Sequence, residues 1–307
     1  FQSDFPRYLK GTNFTLDLSN RYVFNEQWFS IVGYFYQHHT ANISELENSS
    51  QHDLYANIVY ASGSFNFNIG SRWNSHDVYG PHLTYNINPS YNFQLSEKRN
   101  LKALMNVGTG FNTPSLFQLY DVFSGNDDLK PEESQTQEIG LDYTFPTGNF
   151  SVLYFKRIEN PTLIYDFNTF RYGNSDDEVS YSGLEMNYHN RIGSQLQFYL
   201  NYTLTETDGG DLRRIPKNAY RLGLDYALSS RWSLSGSFSR TGDRLAVDGT
   251  TTLGAYSLLD ARVQYQLNKP NAVVFLNVTN LLNQNFIEFL NYSTRGRNIM
   301  AGFNWNL

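Results

Sequence analysis

The sequence contains no cysteine, which excludes a disulfide scaffold and any thiolate metal site and is compatible with a periplasmic assembly route. It also lacks any apolar run near the ~20 residues that a membrane helix requires; the longest, such as Ala272–Leu276, are strand-sized. An excess of positive charge is missing too. A net charge of −6 and a pI near 5.5 argue against nucleic acid as a partner. No initiator methionine or signal peptide stands at Phe1, so the expectation is that the chain is the C-terminal portion of a longer gene product. Hydrophobic residues reach only 40%, low for 307 residues with a large soluble core, whereas aromatics reach 16%. That pairing suits one outward layer of apolar side chains around a polar interior, as in a barrel set in lipid.

The dominant pattern is alternation at period 2. From Leu83 to Phe93 the odd positions read Leu83, Tyr85, Ile87, Pro89, Tyr91 and Phe93, and the even positions Thr84, Asn86, Asn88, Ser90 and Asn92. The same split recurs in Leu196/Phe198/Leu200/Tyr202/Leu204, in Leu259/Ala261/Val263/Tyr265/Leu267 and in Ile299/Ala301/Phe303/Trp305/Leu307. No helical period competes over a comparable length. The chain reads as about fifteen strands: 12–24, 28–40, 51–62, 65–76, 83–95, 100–111, 134–145, 149–165, 177–190, 195–206, 217–228, 231–242, 254–267, 271–282 and 294–307. Strands of this length are long for a soluble protein and fit tilted membrane strands.

The connections alternate between short ones, such as Asn25–Gln27, Gly63–Ser64 and Ser229–Ser230, and long ones at 41–50, 77–82, 112–133, 166–176, 207–216, 243–253 and 283–293. Short periplasmic turns and longer extracellular loops are the outer-membrane pattern. On that rule Phe1–Gly11 lies outside the cell and the last strand ends at the periplasm. Phe24, Trp28, Phe93, Phe145, Phe150, Trp232, Tyr265 and Trp305 stand at similar depth beside the short turns, as an interfacial aromatic girdle does. The fold class expected is therefore all-β: a transmembrane antiparallel β-barrel of a bacterial outer membrane, in contact with membrane lipid. A soluble sandwich would bury its apolar face and show more Val and Ile, shorter strands and no loop asymmetry.

Fifteen is odd, and bacterial single-chain barrels have even counts. A strand overlooked would give about sixteen, the size of a passive general porin. Longer motifs bear on that choice. The stretches VGTGFNTPSLFQLY (Val107–Tyr120), GNDDLKPEESQTQEIGLDY (Gly125–Tyr143), SYSGLEMNY (Ser180–Tyr188), RRIPKNAYRLGLDY (Arg213–Tyr226), YSLLDARVQYQL (Tyr256–Leu267), NVTNLLNQNF (Asn277–Phe286) and the ending RGRNIMAGFNWNL (Arg295–Leu307) together resemble the C-terminal half of TonB-dependent outer-membrane receptors. The resemblance implies a barrel of about 22 strands, of which these are the last fifteen, one barrel domain over residues 1–307, with a plug domain and the first strands preceding it. It also implies capture of a scarce bulky nutrient, cobalamin or a ferric siderophore, by energy-coupled transport. The plug and an inner-membrane energy-coupling protein would be partners, with a surface lipoprotein as a further one. The final residue is Leu307 where the family usually ends in Phe. The box Phe111–Pro114 lacks the family's usual Arg, and no histidine lies between Pro114 and Asn126, which disfavours a haem ligand. Ser115–Tyr120 looks most like cobalamin receptors.

Loop 112–133 is the longest, and Phe117, Tyr120, Asp121 and Phe123 are the candidate ligand-binding residues, because rings cover area at low entropic cost; packing of loop against rim is the plainer use. Asp121, Asp127 and Asp128 are hard donors suited to calcium but without EF-hand spacing, and a solvated acidic loop accounts for them. Gly108 and Gly110 suit a bend or close packing in a strand. The charges expected to face the lumen are Asp17, Arg21, Lys102, Glu138, Asp142, Glu185, Arg221, Asp225, Asp260 and Arg262. Their mixed signs suit contacts to a plug better than one ion-selective ring, pairing among themselves being the alternative. His38 and His39 are adjacent on a strand and point to opposite faces, which argues against joint metal ligation. No metal, cofactor or catalytic triad is read, so enzyme activity is not expected.

Overall fold

The computed structural model describes residues 9–43, 45–175, 177–208, 213–268 and 271–305. The expectations about Phe1 onward and about Leu307 fall mostly or wholly outside them. In chain order the elements are β1 (Lys10–Val23), β2 (Trp28–Asn42), β3 (Leu46–Ala61), β4 (Phe65–His76), β5 (Gly80–Ser96), β6 (Arg99–Asn112), the short helix α1 (Leu116–Tyr120), β7 (Glu132–Phe145), β8 (Gly148–Glu159), β9 (Thr162–Asp166), β10 (Arg171–Ser175), β11 (Val179–Ile192), β12 (Leu196–Asp208), β13 (Asn218–Ala227), β14 (Trp232–Thr241), β15 (Arg244–Leu245), β16 (Thr252–Leu253), β17 (Tyr256–Leu267), β18 (Ala272–Thr279) and β19 (Asn298–Trp305). Fifteen strands form one sheet in sequence order, and β9–β10 and β15–β16 are separate small hairpins in the loops.

The count of fifteen agrees with the sequence; several boundaries do not. The connection expected at 41–50 is largely strand, because β2 and β3 pair out to Asn42↔Leu46. Its Ser, His and Asn side chains bond to each other across the ladder, as His38 Nδ1 does with Ser50 Oγ at 2.8 Å, so polarity there is a property of the hairpin and not of a loop. The connection at 77–82 likewise shrinks to three residues, and the strand expected over 149–165 breaks after Glu159 and resumes as the loop hairpin β9. The last strands are shorter than expected, since β18 stops at Thr279 and β19 starts at Asn298.

The chain divides into two compact units: Phe1–Asn92, Leu104–Glu138 and Lys156–Ser180 in the first, and Phe93–Ala103, Ile139–Phe155 and Tyr181–Leu307 in the second. In both, alternation sorts side chains onto two faces. The large apolar residues stay exposed, among them Phe14, Leu18, Leu83, Ile139, Ile299 and Phe303. Each forgoes ~1.5–3 kcal/mol while it faces water. Lipid removes that cost, and it is the only solvent that suits an unbroken apolar face of such extent. The buried hydrophobic residues lie mainly in and beside the loops: Leu116, Leu119, Leu129, Leu253 and Tyr256.

The short turns are closed by side chains. Asn25 Oδ1 accepts the Gln27 and Trp28 amides, both at 2.9 Å, and Ser229 Oγ accepts those of Arg231 and Trp232; this is the turn chemistry expected of Asn and Ser. Rings gather beside these turns. Trp28 stacks obliquely on Tyr60 at 4.7 Å and edge-on to Phe67 at 5.5 Å, and Trp232 lies 4.6 Å from Tyr265. On the polar face, Tyr55 covers Gly33 and Tyr199 covers Gly223, each ring filling the space where a Cβ would stand. Beside Gly108, Thr109 Oγ1 accepts the Tyr85 amide at 3.0 Å, and a Cβ at Gly110 would meet the Ser134 hydroxyl.

Candidate functional site

The first unit holds a cavity of about 830 Å³ between the polar face of the sheet and the start of the 113–130 loop. Its floor is built on Asp53, whose side chain is fully buried. A lone buried carboxylate would cost several kcal/mol, and here three neighbours compensate it. Arg72 Nε donates to it at 2.6 Å and the guanidinium also ion-pairs with it. Asn74 Nδ2 donates at 2.6 Å and Gln51 Nε2 at 3.3 Å. Arg72 is held in turn over the Phe35 ring at 4.8 Å. Because the carboxylate fixes which end of Asn74 is the amide nitrogen, the other end is an oxygen. That Oδ1 is buried and accepts no hydrogen bond, on a residue only 8% exposed that lines the cavity. Phe111, stacked on His82 at 4.1 Å, and Phe117 supply apolar wall.

The loop above is folded by its own polar groups. Ser115 and Gln118 form a reciprocal capping box at the start of α1. Asp121 is buried, and its Oδ2 accepts the amides of Phe123 and Ser124 and the Ser124 hydroxyl. The β9–β10 hairpin is tied down beside it: Arg171 Nη2 donates to the Gly125 carbonyl at 3.1 Å, Asn126 Nδ2 to the Tyr172 carbonyl at 3.1 Å, and Asn174 bonds Lys130 through both backbone groups. Glu132 joins the two, accepting from the Leu163 amide at 2.7 Å and from Asn112 Nδ2 at 2.8 Å.

Of the four candidate ligand residues, Phe117 lines the cavity and packs edge-on to Tyr172 at 6.4 Å. Tyr120 is half-buried beneath the acidic rim, and Phe123 is 75% exposed. Asp121 has its carboxylate turned into its own turn. Burial raises the Tyr120 hydroxyl pKa, and the carboxylates of Glu47, Asp127 and Asp77 add to the rise. Tyr79, more deeply buried and close to Tyr120, is pushed up to about 12, and its hydroxyl has no hydrogen-bond partner. Sequence reasoning missed Asp53, Arg72 and Asn74; the signal was an Asp and an Arg at inward positions of neighbouring strands, visible only once the β3–β4 register is known.

The charges expected to face the lumen all lie on strands. Arg21 sits over the Phe29 ring at 4.1 Å, and Asp17 accepts from Tyr55 Oη at 2.8 Å. Glu138 accepts from Asn106 at 2.9 Å. Asp142 accepts from Thr144 at 3.4 Å beside a 480 Å³ pocket near the 147–149 turn. Arg262 lies over Phe275 at 4.5 Å, with its Nε buried and unbonded. Arg221 and Asp225 stand on β13 opposite Asn201 and Gln197, Lys102 on β6 and Glu185 on β11. Among the described residues no ion pair joins two of these groups. Asp260 differs, since it accepts the Asn280 amide at 2.8 Å and so anchors a loop.

In the second unit the NVTNLLNQNF stretch folds around Asn280, which has a left-handed φ of 48° and bonds Gln284 through both side-chain ends. Arg244 is 7% exposed, donates to the Ile287 and Glu288 carbonyls and lies over the Tyr256 ring. A smaller cavity of about 310 Å³, lined by Val247, Leu253, Phe289 and Tyr292, lies in the same loops.

Residues 1–281 match the family described as TonB dependent receptor-like, beta-barrel. Among curated proteins the chain is 26% identical over 272 residues to the vitamin B12 transporter BtuB of Vibrio vulnificus, covering 84% of this chain and 42% of that protein. It is 27% identical over 259 residues to BtuB of Photobacterium profundum, covering 81% and 42%. The chain thus spans about two fifths of the length of these relatives. Among solved structures, the siderophore receptor PirA of Acinetobacter baumannii superposes with a TM-score of 0.78 at 15% identity, over 97% of this chain and 55% of that one. The ferric enterobactin receptor PfeA of Pseudomonas aeruginosa superposes with a TM-score of 0.77 at 16% identity, over 96% and 54%; at such identities the likeness speaks to fold alone. The match over most of the chain, the fifteen-stranded sheet and its lipid-suited face agree: this chain belongs to the β-barrel family of TonB-dependent receptors of the bacterial outer membrane.

Proposed function

We propose that the chain forms the barrel wall and capture loops of an outer-membrane receptor. It takes up a scarce, bulky nutrient of the cobalamin or ferric-siderophore class by energy-coupled transport. The observation that carries this is the cavity of about 830 Å³ on the polar face, roofed by a loop that its own hydrogen bonds hold in shape. A cavity of that volume is in the range of a ligand site for a large small molecule. Phe117 is its apolar contact, with Tyr120 and Phe123 nearer the rim. The inward charges Arg21, Lys102, Glu138, Asp142, Glu185, Arg221, Asp225 and Arg262, which do not pair with one another, contact a plug domain of the same polypeptide. An inner-membrane energy-coupling protein acts through that plug, and a surface lipoprotein is a further partner of the loops. The passive-porin reading finds no support among the relatives, and none of them points to an enzymatic role.

The test is uptake. The intact protein, placed in a host deleted for its own cobalamin and catecholate receptors, should restore import of radiolabelled cyanocobalamin or of a radiolabelled ferric chelate. A protonophore should abolish that import, and Phe117→Ala should lower it several-fold. Import of neither compound, or import indifferent to the protonophore, would sink the proposal.

A further inference from the structure

The roof of the first unit's cavity is held by a segment that lines no part of it. Among the described residues none of the β9–β10 hairpin reaches the cavity wall, yet the hairpin grips the helix-bearing loop along most of its length. The Tyr172 amide donates to the Ser124 carbonyl at 2.9 Å, and Asn126 Nδ2 returns a bond to the Tyr172 carbonyl at 3.1 Å. Arg171 Nη2 donates to the Gly125 carbonyl between them. Asn174 takes both backbone groups of Lys130, accepting the amide at 2.8 Å and donating to the carbonyl at 3.0 Å. At the base Glu132 accepts the Leu163 amide. The Tyr172 ring stands edge-on to Phe117, which does line the cavity, and is backed by Tyr165 at 5.0 Å.

The bonds inside the loop do a different job. The Ser115–Gln118 capping box and the Asp121 turn join residues three or fewer apart, so they fix the shape of the segment and not its place over the cavity. Leu116 and Leu119 are buried, but apolar burial is non-directional and sets no orientation. The hairpin's hydrogen bonds are directional and come from 44 to 46 residues away.

We infer, on the nutrient-receptor reading above, that the β9–β10 hairpin positions the ligand site: Arg171, Tyr172 and Asn174 set the place of α1, and through it the place of the Phe117 ring, without lining the cavity themselves. A contact residue held in place before the ligand arrives spends no binding energy on its own ordering, and a site is only as exact as the shell that supports it. Affinity is therefore controlled from outside the cavity.

The experiment uses the intact receptor in outer-membrane vesicles. The chain has no cysteine, so a nitroxide on Phe117→Cys reports the roof alone. Its spectrum should be that of an immobilised label. Adding Arg171→Gln/Asn174→Ala should mobilise it, whereas Asp248→Ala in the second unit should not. Without the label, Arg171→Gln/Asn174→Ala should bind its probe, radiolabelled cyanocobalamin or a radiolabelled ferric tris-catecholate, about tenfold more weakly than the wild type does. Lys130→Cys/Asn174→Cys should be weakened likewise, and bridging its two thiols with a short bifunctional maleimide should restore wild-type affinity to within about twofold. A defect in folding would not be reversed in that way. Should the first double variant fail to fold, Arg171→Gln alone decides, with a loss of about threefold. A label that stays immobile, or unchanged affinity in the folded variants, would overturn the inference and leave the receptor reading intact. Binding of neither probe by the wild type overturns the receptor reading, and the label then decides the positioning role by itself.

Discussion

The loops of the first unit and those of the second rest on the same kind of scaffold and use their polar residues in opposite ways. In the first, carboxylates predominate, and a fully buried Asp53 is compensated by Arg72, Asn74 and Gln51 on the wall of a cavity of about 830 Å³. In the second, arginine and asparagine bind backbone: Arg244 takes the Ile287 and Glu288 carbonyls, Asn280 takes Gln284 from both sides, and the enclosed space is about 310 Å³ with a mostly apolar wall. Each unit leaves a buried polar atom without a partner, Asn74 Oδ1 in the first and Arg244 Nη1 in the second, so the difference lies in the sign of the charged groups and in the volume beside them.

The largest effect that sharpens the contrast is expected at Arg244. Arg244→Met keeps the volume and removes a charged donor from the Ile287 and Glu288 carbonyls, each bond being worth ~1.5–3 kcal/mol. The 280–293 loop should open to limited proteolysis and the protein should lose about 3 kcal/mol of stability. Arg171→Met in the first unit removes one such bond, to Gly125, and should cost roughly half as much. Equal losses at the two sites would erase the distinction drawn between the loops.

A smaller effect is expected at the floor of the first cavity. Arg72→Met leaves Asp53 with Asn74 and Gln51 alone. Breaking a buried pair by removing one partner costs ~3–5 kcal/mol, but the Arg72 side chain is 43% exposed, and water reaching the site reduces the loss to roughly 2 kcal/mol. Arg72→Met/Asp53→Leu should recover much of it, because no buried charge remains. A double variant as unstable as the single one would show that the pair shapes the cavity by packing and not by charge.

How much of this was legible beforehand follows from what each signal depends on. Alternation is local, so the fifteen strands and the two faces could be read from Leu83–Phe93 and its counterparts without any partner strand. Turn residues such as Asn25 and Ser229 are equally local, and the short turns came out where expected. Loop lengths did not. At 41–50 polar residues on both faces carry no period, and only pairing across the hairpin, His38 with Ser50, reveals them as strand. The cavity floor was illegible for the same reason on a larger scale: Asp53 and Arg72 are 19 residues apart and meet because of register, a property of the pair and not of either segment. Asp121 was legible as an acidic loop residue but not as a turn cap, since that depends on the short helix that precedes it.

The mildest test concerns pH and the β15–β16 hairpin of the second unit. Asp248 accepts the amides of Thr250 and Thr251, both at 3.0 Å, and the Thr251 hydroxyl at 2.7 Å. These bonds hold its pKa down at about 2, from an ordinary 3.8. A depressed carboxylate stabilises the folded turn fully above the unfolded value and loses that contribution as pH falls toward the folded value. The turn should therefore be as ordered at pH 5 as at pH 7 and should loosen only between about pH 4 and pH 2, by a small amount because solvent reaches the carboxylate. Amide exchange at Thr250 and Thr251 reads this directly, and Asp248→Ala should show the loosened rates at every pH. In the first unit Asp166 makes the same kind of turn, with the Asn168 amide and the Thr169 hydroxyl, and its pKa is lowered by those bonds too. Both hairpins should then respond alike. A response confined to one of them would show that a turn of this type takes its stability from the loop it is docked against, and that the contrast between the two units extends to their smallest parts.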